Sequence, residues 1–260
     1  MDETNPSVGE APHPVPLSRD ELAEASKRLR EAADRERYVP AGEFLRKRGD
    51  PNDGLHFIVS GAMHFHRPHR SGGQLLFHVG LPGFWFGVGE VPSLGGSRSM
   101  LSAEAVAPTV VASIDLPAAE ALLASDDLVR RYHLSMLMNR YATMLDFAET
   151  GLKPTPEERL ATRLLGFARL NTVPAPLPER MELPISQATL SALTGVSRQT
   201  VNRAVRHLVE AGALEAVYGG VRIVDFPRLA EAAGEAWLFP AAGGGPQPAS
   251  HDDDGGARGA

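Results

Sequence analysis

Between Ser186 and Gly212 the apolar residues recur at the spacing of two short helices. Leu190 and Leu193 share one helical face, and Val201, Ala204, Val205 and Leu208 form a second stripe at spacings of three and four. Gly195 separates the two runs, and glycine takes the positive φ that a tight inter-helix turn requires. Ser186 and Ser197 stand where N-caps belong, each placed to accept an orphan backbone N–H of the turn that follows. Val196 sits where it can plug the angle between the helices, and Gly212 closes the second one. This pattern predicts a helix-turn-helix. Beyond it, Leu214 and Val217, then Val221, Ile223 and Val224, flank Gly219-Gly220. Short β segments about such a turn predict a hairpin, placed as a wing.

Upstream the pattern changes twice. Ser18 to Arg37 reads as a helix, with Ser18 as N-cap and Glu21 completing a capping box. From Tyr38 to Leu116 short alternating segments lie between Gly, Pro and Asp clusters: Leu55 to Val59, Met63 with Phe65, Leu75 with Phe77 and Val79, and one or two in Val106 to Ile114. Such segments predict a small antiparallel barrel or jelly roll. Leu116 to Ala124 is a short helix, and Ser125 caps a long one from Asp126 to about Glu149. Val129, Tyr132, Met136 and Thr143 lie near one seam of it, while Leu134, Leu137, Met138, Tyr141 and Leu145 widen the apolar surface. A helix apolar on more than one side needs two partners, its own barrel and the same helix of a second copy. Pro154 and Pro156 mark a hinge, and Glu157 to Leu170 opens the C-terminal domain. The expected fold class is α+β: a sensory β-barrel over 18–125, a dimerisation helix and hinge over 126–153, and a winged helix-turn-helix over 154–232. The polar flanks, 1–17 and 233–260, are expected to be disordered.

The chemistry lies on the exposed side of the second helix. Arg198, Gln199, Asn202, Arg203 and Arg206 fall outside its apolar stripe. Arginine bonds guanine O6 and N7 through two parallel N–H groups, and Gln or Asn does the same for adenine. The first residues of this helix meet base edges in the major groove. Arg198, Gln199 and either Asn202 or Arg203 are therefore candidate base readers. Ser186, Ser197, Thr200, Arg206 and, on the wing, Arg222 are candidates for the DNA backbone. The chain of 260 residues carries a net charge of -6, yet Arg159 to Arg228 holds nine Arg against five Asp and Glu. A locally basic domain in an acidic chain suits double-stranded DNA.

Composition closes other routes. With no cysteine there is no disulfide and no thiolate-bound cluster or haem. No signal peptide and no run of roughly 20 apolar residues is visible, so a cytoplasmic chain without a membrane partner is expected. Neither a nucleophile elbow, a phosphate-binding glycine loop nor a paired-carboxylate constellation occurs, which speaks against an enzyme. His64 and His66 fall on one face of a strand, as in a cupin-like metal or haem sensor. No carboxylate follows before Gly80, however, so the solvated face of a strand is the expected role and no metal ligands are assigned.

Barrel, long helix, hinge and winged helix-turn-helix in this order resemble the Crp/Fnr family of bacterial transcription regulators. TGVSRQTVNRAVRHL is the most specific part, supported by Gly49 to Met63, by FWFG at Phe84 to Gly87, and by Arg98-Ser99. The resemblance, over Tyr38 to Asp225, implies a homodimer that binds DNA, RNA polymerase as a further partner, and a small-molecule effector in the barrel. It implies Arg198, Gln199 and Arg203 as base contacts. Gln199 stands where well-known members carry a glutamate that accepts from cytosine; glutamine prefers adenine, so the half-site is expected to differ there. A cyclic nucleotide, such as cyclic AMP, is the implied effector. Members that bind it hold the ribose with a Gly-Glu pair and the phosphate with an Arg-Ser pair. Gly87, Arg98 and Ser99 match; the glutamate position falls on Val88, with Glu90 two residues on, and Thr143 stands at the base-contacting threonine. Valine accepts no ribose hydrogen bond, so the pocket is expected to be degenerate.

Overall fold

The computed structural model describes residues 17–68, 74–87, 98–172 and 178–234. These form two compact units, one of the described residues up to 144 together with 169–172, the other of 145–168 and 178–234. The division runs through two helices.

In the N-terminal unit, α1 spans Arg19–Glu31. Its capping box is reciprocal: the Glu21 N–H donates to Ser18 Oγ at 3.2 Å, and the Ser18 N–H donates to Glu21 Oε2 at 2.8 Å. The helix stops six residues short of Arg37. Arg35–Val39 is instead β1, paired antiparallel with Thr109–Asp115, β8. Only Val39 in β1 is buried, so ladder hydrogen bonds rather than an apolar period decide this segment. The remaining strands are β2 (Phe44–Arg46), β3 (Gly54–Ser60), β4 (Met63–Pro68), β5 (Gln74–Gly80), β6 (Trp85–Phe86) and β7 (Ser102–Ala105).

They make two four-stranded sheets, β1-β8-β3-β6 and β2-β7-β4-β5. Among the described residues the expected barrel or jelly roll is thus a jelly-roll sandwich of two sheets rather than one closed sheet. Ile58, Val111 and Phe86 of the first sheet share a core with Met63, Phe65 and Ala105 of the second. On the first sheet's other face Leu55, Phe57 and Trp85 pack with α1, with α2 (Leu116–Ser125) and with α3 (Asp127–Glu149). Asp126, not Ser125, caps α3: the Val129 N–H donates to Asp126 Oδ1 at 3.1 Å, while Ser125 Oγ turns back to the Ala121 carbonyl. Arg28 bonds the same Asp126 carboxylate at 2.8 Å and holds its pKa below the ordinary value.

His56 on β3 is buried, with Nδ1 2.8 Å from Ser113 Oγ and Nε2 3.1 Å from Asp53 Oδ1. The His56 imidazole beside it lowers the Asp53 pKa from 3.8 to about 2. A carboxylate depressed on folding adds stability above its unfolded pKa and loses it as pH falls through the folded value. The Asp53 side chain is 63% exposed, and solvent screening limits the effect to about 1 kcal/mol. Urea unfolding should therefore show Asp53→Asn less stable than the parent at pH 5, with the gap closing between about pH 4 and pH 2.

In the C-terminal unit a 3-10 turn, Thr150–Leu152, follows α3. Thr155 caps α4, Pro156–Thr172, so Pro156 starts this helix, where its missing N–H costs nothing. A three-stranded sheet has the order β10-β11-β9: Leu214–Val217, Gly220–Ile223 and Met181–Leu183. Strand β9 carries no readable signal; its three residues are completed only by pairing with β11. Between β9 and β10 lie α5 (Gln187–Thr194) and α6 (Arg198–Glu210), and α7 (Phe226–Ala232) closes the described chain, capped by Asp225.

Candidate functional site

The turn between α5 and α6 is built as the residues require. Ser186 Oγ accepts from the Thr189 N–H at 3.1 Å, and Ser197 Oγ accepts from the Thr200 N–H at 3.2 Å. Gly195 takes φ 70° and ψ 18°, the left-handed conformation that a side chain would strain. Leu190 and Leu193 of α5 are buried, as are Val201, Ala204, Val205 and Leu208 of α6. Sequestering that stripe leaves Arg198, Gln199, Arg203 and Arg206 exposed, with Thr200 and Asn202 half-buried. His207 Nδ1 meets Glu157 Oε1 at 2.8 Å, which ties the middle of α6 to α4.

Charge pairing separates the arginines of this unit. Arg180 bonds Glu215 at 3.4 Å, Arg228 bonds Asp225 at 3.3 Å, and Arg222 lies 2.9 Å from both Glu215 and Glu182. Arg198, Arg203 and Arg206 make no hydrogen bond or ion pair with another described residue. Three cations thus stand along one helix face with their donors open to a partner. Arg222, the sequence-derived phosphate contact on the wing, already has its charge met by two carboxylates, and its pKa is raised by them. A phosphate there competes with both. The wing tip itself presents Tyr218, fully exposed.

The N-terminal unit encloses a cavity of about 300 Å³. Phe65, Phe84 and Phe86 line it, with Leu101, Leu137 and Leu170. Arg46, Arg67 and Arg140 add positive charge, and His78 adds an imidazole whose burial, then the charge of Arg140, holds its pKa well below the ordinary value. Gly87 belongs to the wall; it has φ 84°, and a Cβ there would stand 2.5 Å from the Gly54 carbonyl oxygen.

Comparison with known proteins agrees with both units. Residues 158–232 match the Crp-like helix-turn-helix domain and residues 36–126 the cyclic nucleotide-binding domain. The chain belongs to the Crp/Fnr family of transcription regulators. A CRP-like cAMP-activated global transcriptional regulator of Mycobacterium tuberculosis is 27% identical over 195 residues, 75% of this chain and 86% of that protein. The cyclic AMP receptor protein of Thermus thermophilus is 29% identical over 199 residues, 76% of this chain and 87% of that protein. In fold, the chain is similar to FixK2 from Bradyrhizobium japonicum, with a TM-score of 0.62 and 24% identity, covering 76% of this chain and 96% of that one. These relatives are regulators, not enzymes. Among the described residues no helix is long and apolar enough to cross a membrane.

Of the positions that the family resemblance matches, Arg98, Ser99 and Thr143 are described and do not line this cavity. Arg98 is exposed, and its Nη1 donates to the Gly49 carbonyl at 2.8 Å. Ser99 is buried, and its hydroxyl has no hydrogen-bond partner among the described residues. Thr143 is buried and spends its hydroxyl on the Asn139 carbonyl at 2.9 Å, a bond back to the preceding turn. Of the matched positions only Gly87 stands among the described residues of the cavity wall. Val88 and Glu90 lie outside the described residues.

Of the His64 and His66 pair, His64 is half-buried and His66 is buried, as are His56 and His78. A bulge between Phe65 and His66 shifts the strand register, and His66 Nε2 meets Glu104 Oε2 of β7 at 2.9 Å. That carboxylate comes from a distant strand, so no local spacing could reveal it. No group of three or more His, Asp or Glu that could hold a metal occurs among the described residues, and the family assignment does not favour the cupin-like alternative. Arg140 escaped the sequence reading, although its spacing from Leu137 and Met144 marks one face of α3.

Proposed function

We propose that this regulator reads its operator through Arg198, Gln199, Asn202 and Arg203, and that Arg206 with the hydroxyls of Ser186, Ser197 and Thr200 holds the DNA backbone. The observation that carries it is the exposed face of α6, whose arginines find no partner among the described residues while Arg222 on the wing does. Two copies pair through α3 and place two α6 helices in successive major grooves, roughly 34 Å apart. An effector enters the cavity of the N-terminal unit and shifts the equilibrium between DNA-binding states. RNA polymerase is the further partner that the family resemblance implies.

A cyclic nucleotide is the effector named for the M. tuberculosis relative, and the orphan hydroxyl of buried Ser99 favours an anion near that residue. The outward turn of Arg98 and the occupied hydroxyl of Thr143 weigh against the rest of such a contact set.

Mapping chromosomal DNA bound by the chain tests the reading. Sites sharing a two-fold symmetric motif, with occupancy that changes with effector supply, are the expected result. Binding without a common motif would refute it. In vitro, Arg206→Ala should reduce the slope of log K against log salt by about 1 per half-site. Arg222→Ala should change that slope much less, because its charge is already met by Glu182 and Glu215. Equal slopes for the two variants would contradict this assignment.

A further inference from the structure

The chemistry of the cavity wall says more about its ligand than the matched positions do, provided that the cavity is the effector site as proposed above. Each of its three arginines lies over a phenylalanine of the same wall: Arg46 5.3 Å from the Phe86 ring centre, Arg67 5.3 Å from Phe77, and Arg140 5.0 Å from Phe84. An aromatic face attracts a guanidinium through its quadrupole and keeps the planar fork in one orientation. Between these pairs run Leu101, Leu137, Leu170 and two methionines, Met100 and Met144. His78 lies tilted against Phe84, with ring centres 4.2 Å apart.

No Asp, Glu, Asn, Gln, Ser or Thr stands among the described lining residues. A nucleotide brings ribose hydroxyls and ring nitrogens, and such groups lose affinity when they are desolvated without partners. A compact aromatic ring with one carboxylate has the opposite balance. Its ring meets phenylalanine, leucine and methionine, and its charge meets the positive charge of the three arginines. We infer that the cavity takes an aromatic monocarboxylate as effector.

Calorimetry on the full chain tests this with 2-naphthoate, indole-3-acetate and cyclic AMP, each carboxylate paired with its neutral amide. At least one carboxylate should bind, with its amide about tenfold or more weaker, and cyclic AMP should bind weaker than that carboxylate. Arg67→Gln should weaken the carboxylate about tenfold and leave the amide unchanged, while Leu137→Trp should fill the cavity and abolish both. Equal binding of acid and amide, tighter binding of cyclic AMP, or no binding of either carboxylate would overturn the inference. Operator binding by the same samples is measured in parallel. A chain that binds its operator but no carboxylate overturns only the ligand class. A chain that binds no operator under any condition overturns the regulator reading itself.

Discussion

Replacing Arg198 by alanine is expected to cost roughly 1–3 kcal/mol at each half-site, the value of one bidentate arginine–guanine pair. Over a two-fold operator that approaches a loss of about 100-fold or more in affinity. The loss should be specific to sequence. Binding to unrelated DNA rests on phosphate neutralisation and should fall only slightly. The structural reason is local: Arg198 is the first residue of α6, directly after the Ser197 cap, exposed and without a partner among the described residues. Fluorescence anisotropy with operator and scrambled duplexes distinguishes the outcomes. Operator affinity equal to the parent's would remove Arg198 from the base-reading set.

A charge in the exposed stripe of α3 should have a comparable effect by another route. Leu134, Met138 and Tyr141 are 50%, 63% and 60% exposed, at helical spacing on one face. The opposite face is closed, with Val129 and Tyr132 fully buried and Met136 at 4%. Covering these half-exposed side chains with the same stripe of a second copy contributes about 1–2 kcal/mol for each, roughly half the value of a full burial. Met138→Glu places two like charges at that seam. Sedimentation should show the dimer dissociating at concentrations where the parent stays paired. Operator affinity should fall by about 100-fold or more, because each half-site then binds alone. A Met138→Glu protein that remains dimeric would refute pairing through this face.

How legible these features were in the chain depended on range. The caps at Ser18, Ser186 and Ser197 and the turn at Gly195 are local devices, and each is found where the residues place it. The stripe of α6 and the two faces of α3 follow from helical period alone. Arg35–Val39 has no such period, and its strand exists because β8 offers a ladder. For the same reason β9 was invisible. Ligand chemistry was hardest to read. Arg46, Arg67 and Arg140 are far apart in sequence and meet only because two sheets and a helix close on one cavity. Arg222 shows the converse: a cation in the right place for phosphate, taken by Glu182 and Glu215 from neighbouring strands.

The most direct test of the central claim is selection of binding sites from a random double-stranded library, with the parent and with Arg198→Ala. The parent should enrich a two-fold symmetric motif with half-site centres about 10 base pairs apart. That motif should hold a guanine that Arg198→Ala ceases to select, and an adenine at the base pair facing Gln199. Recovery of no common motif, or of the same motif by both proteins, would contradict it.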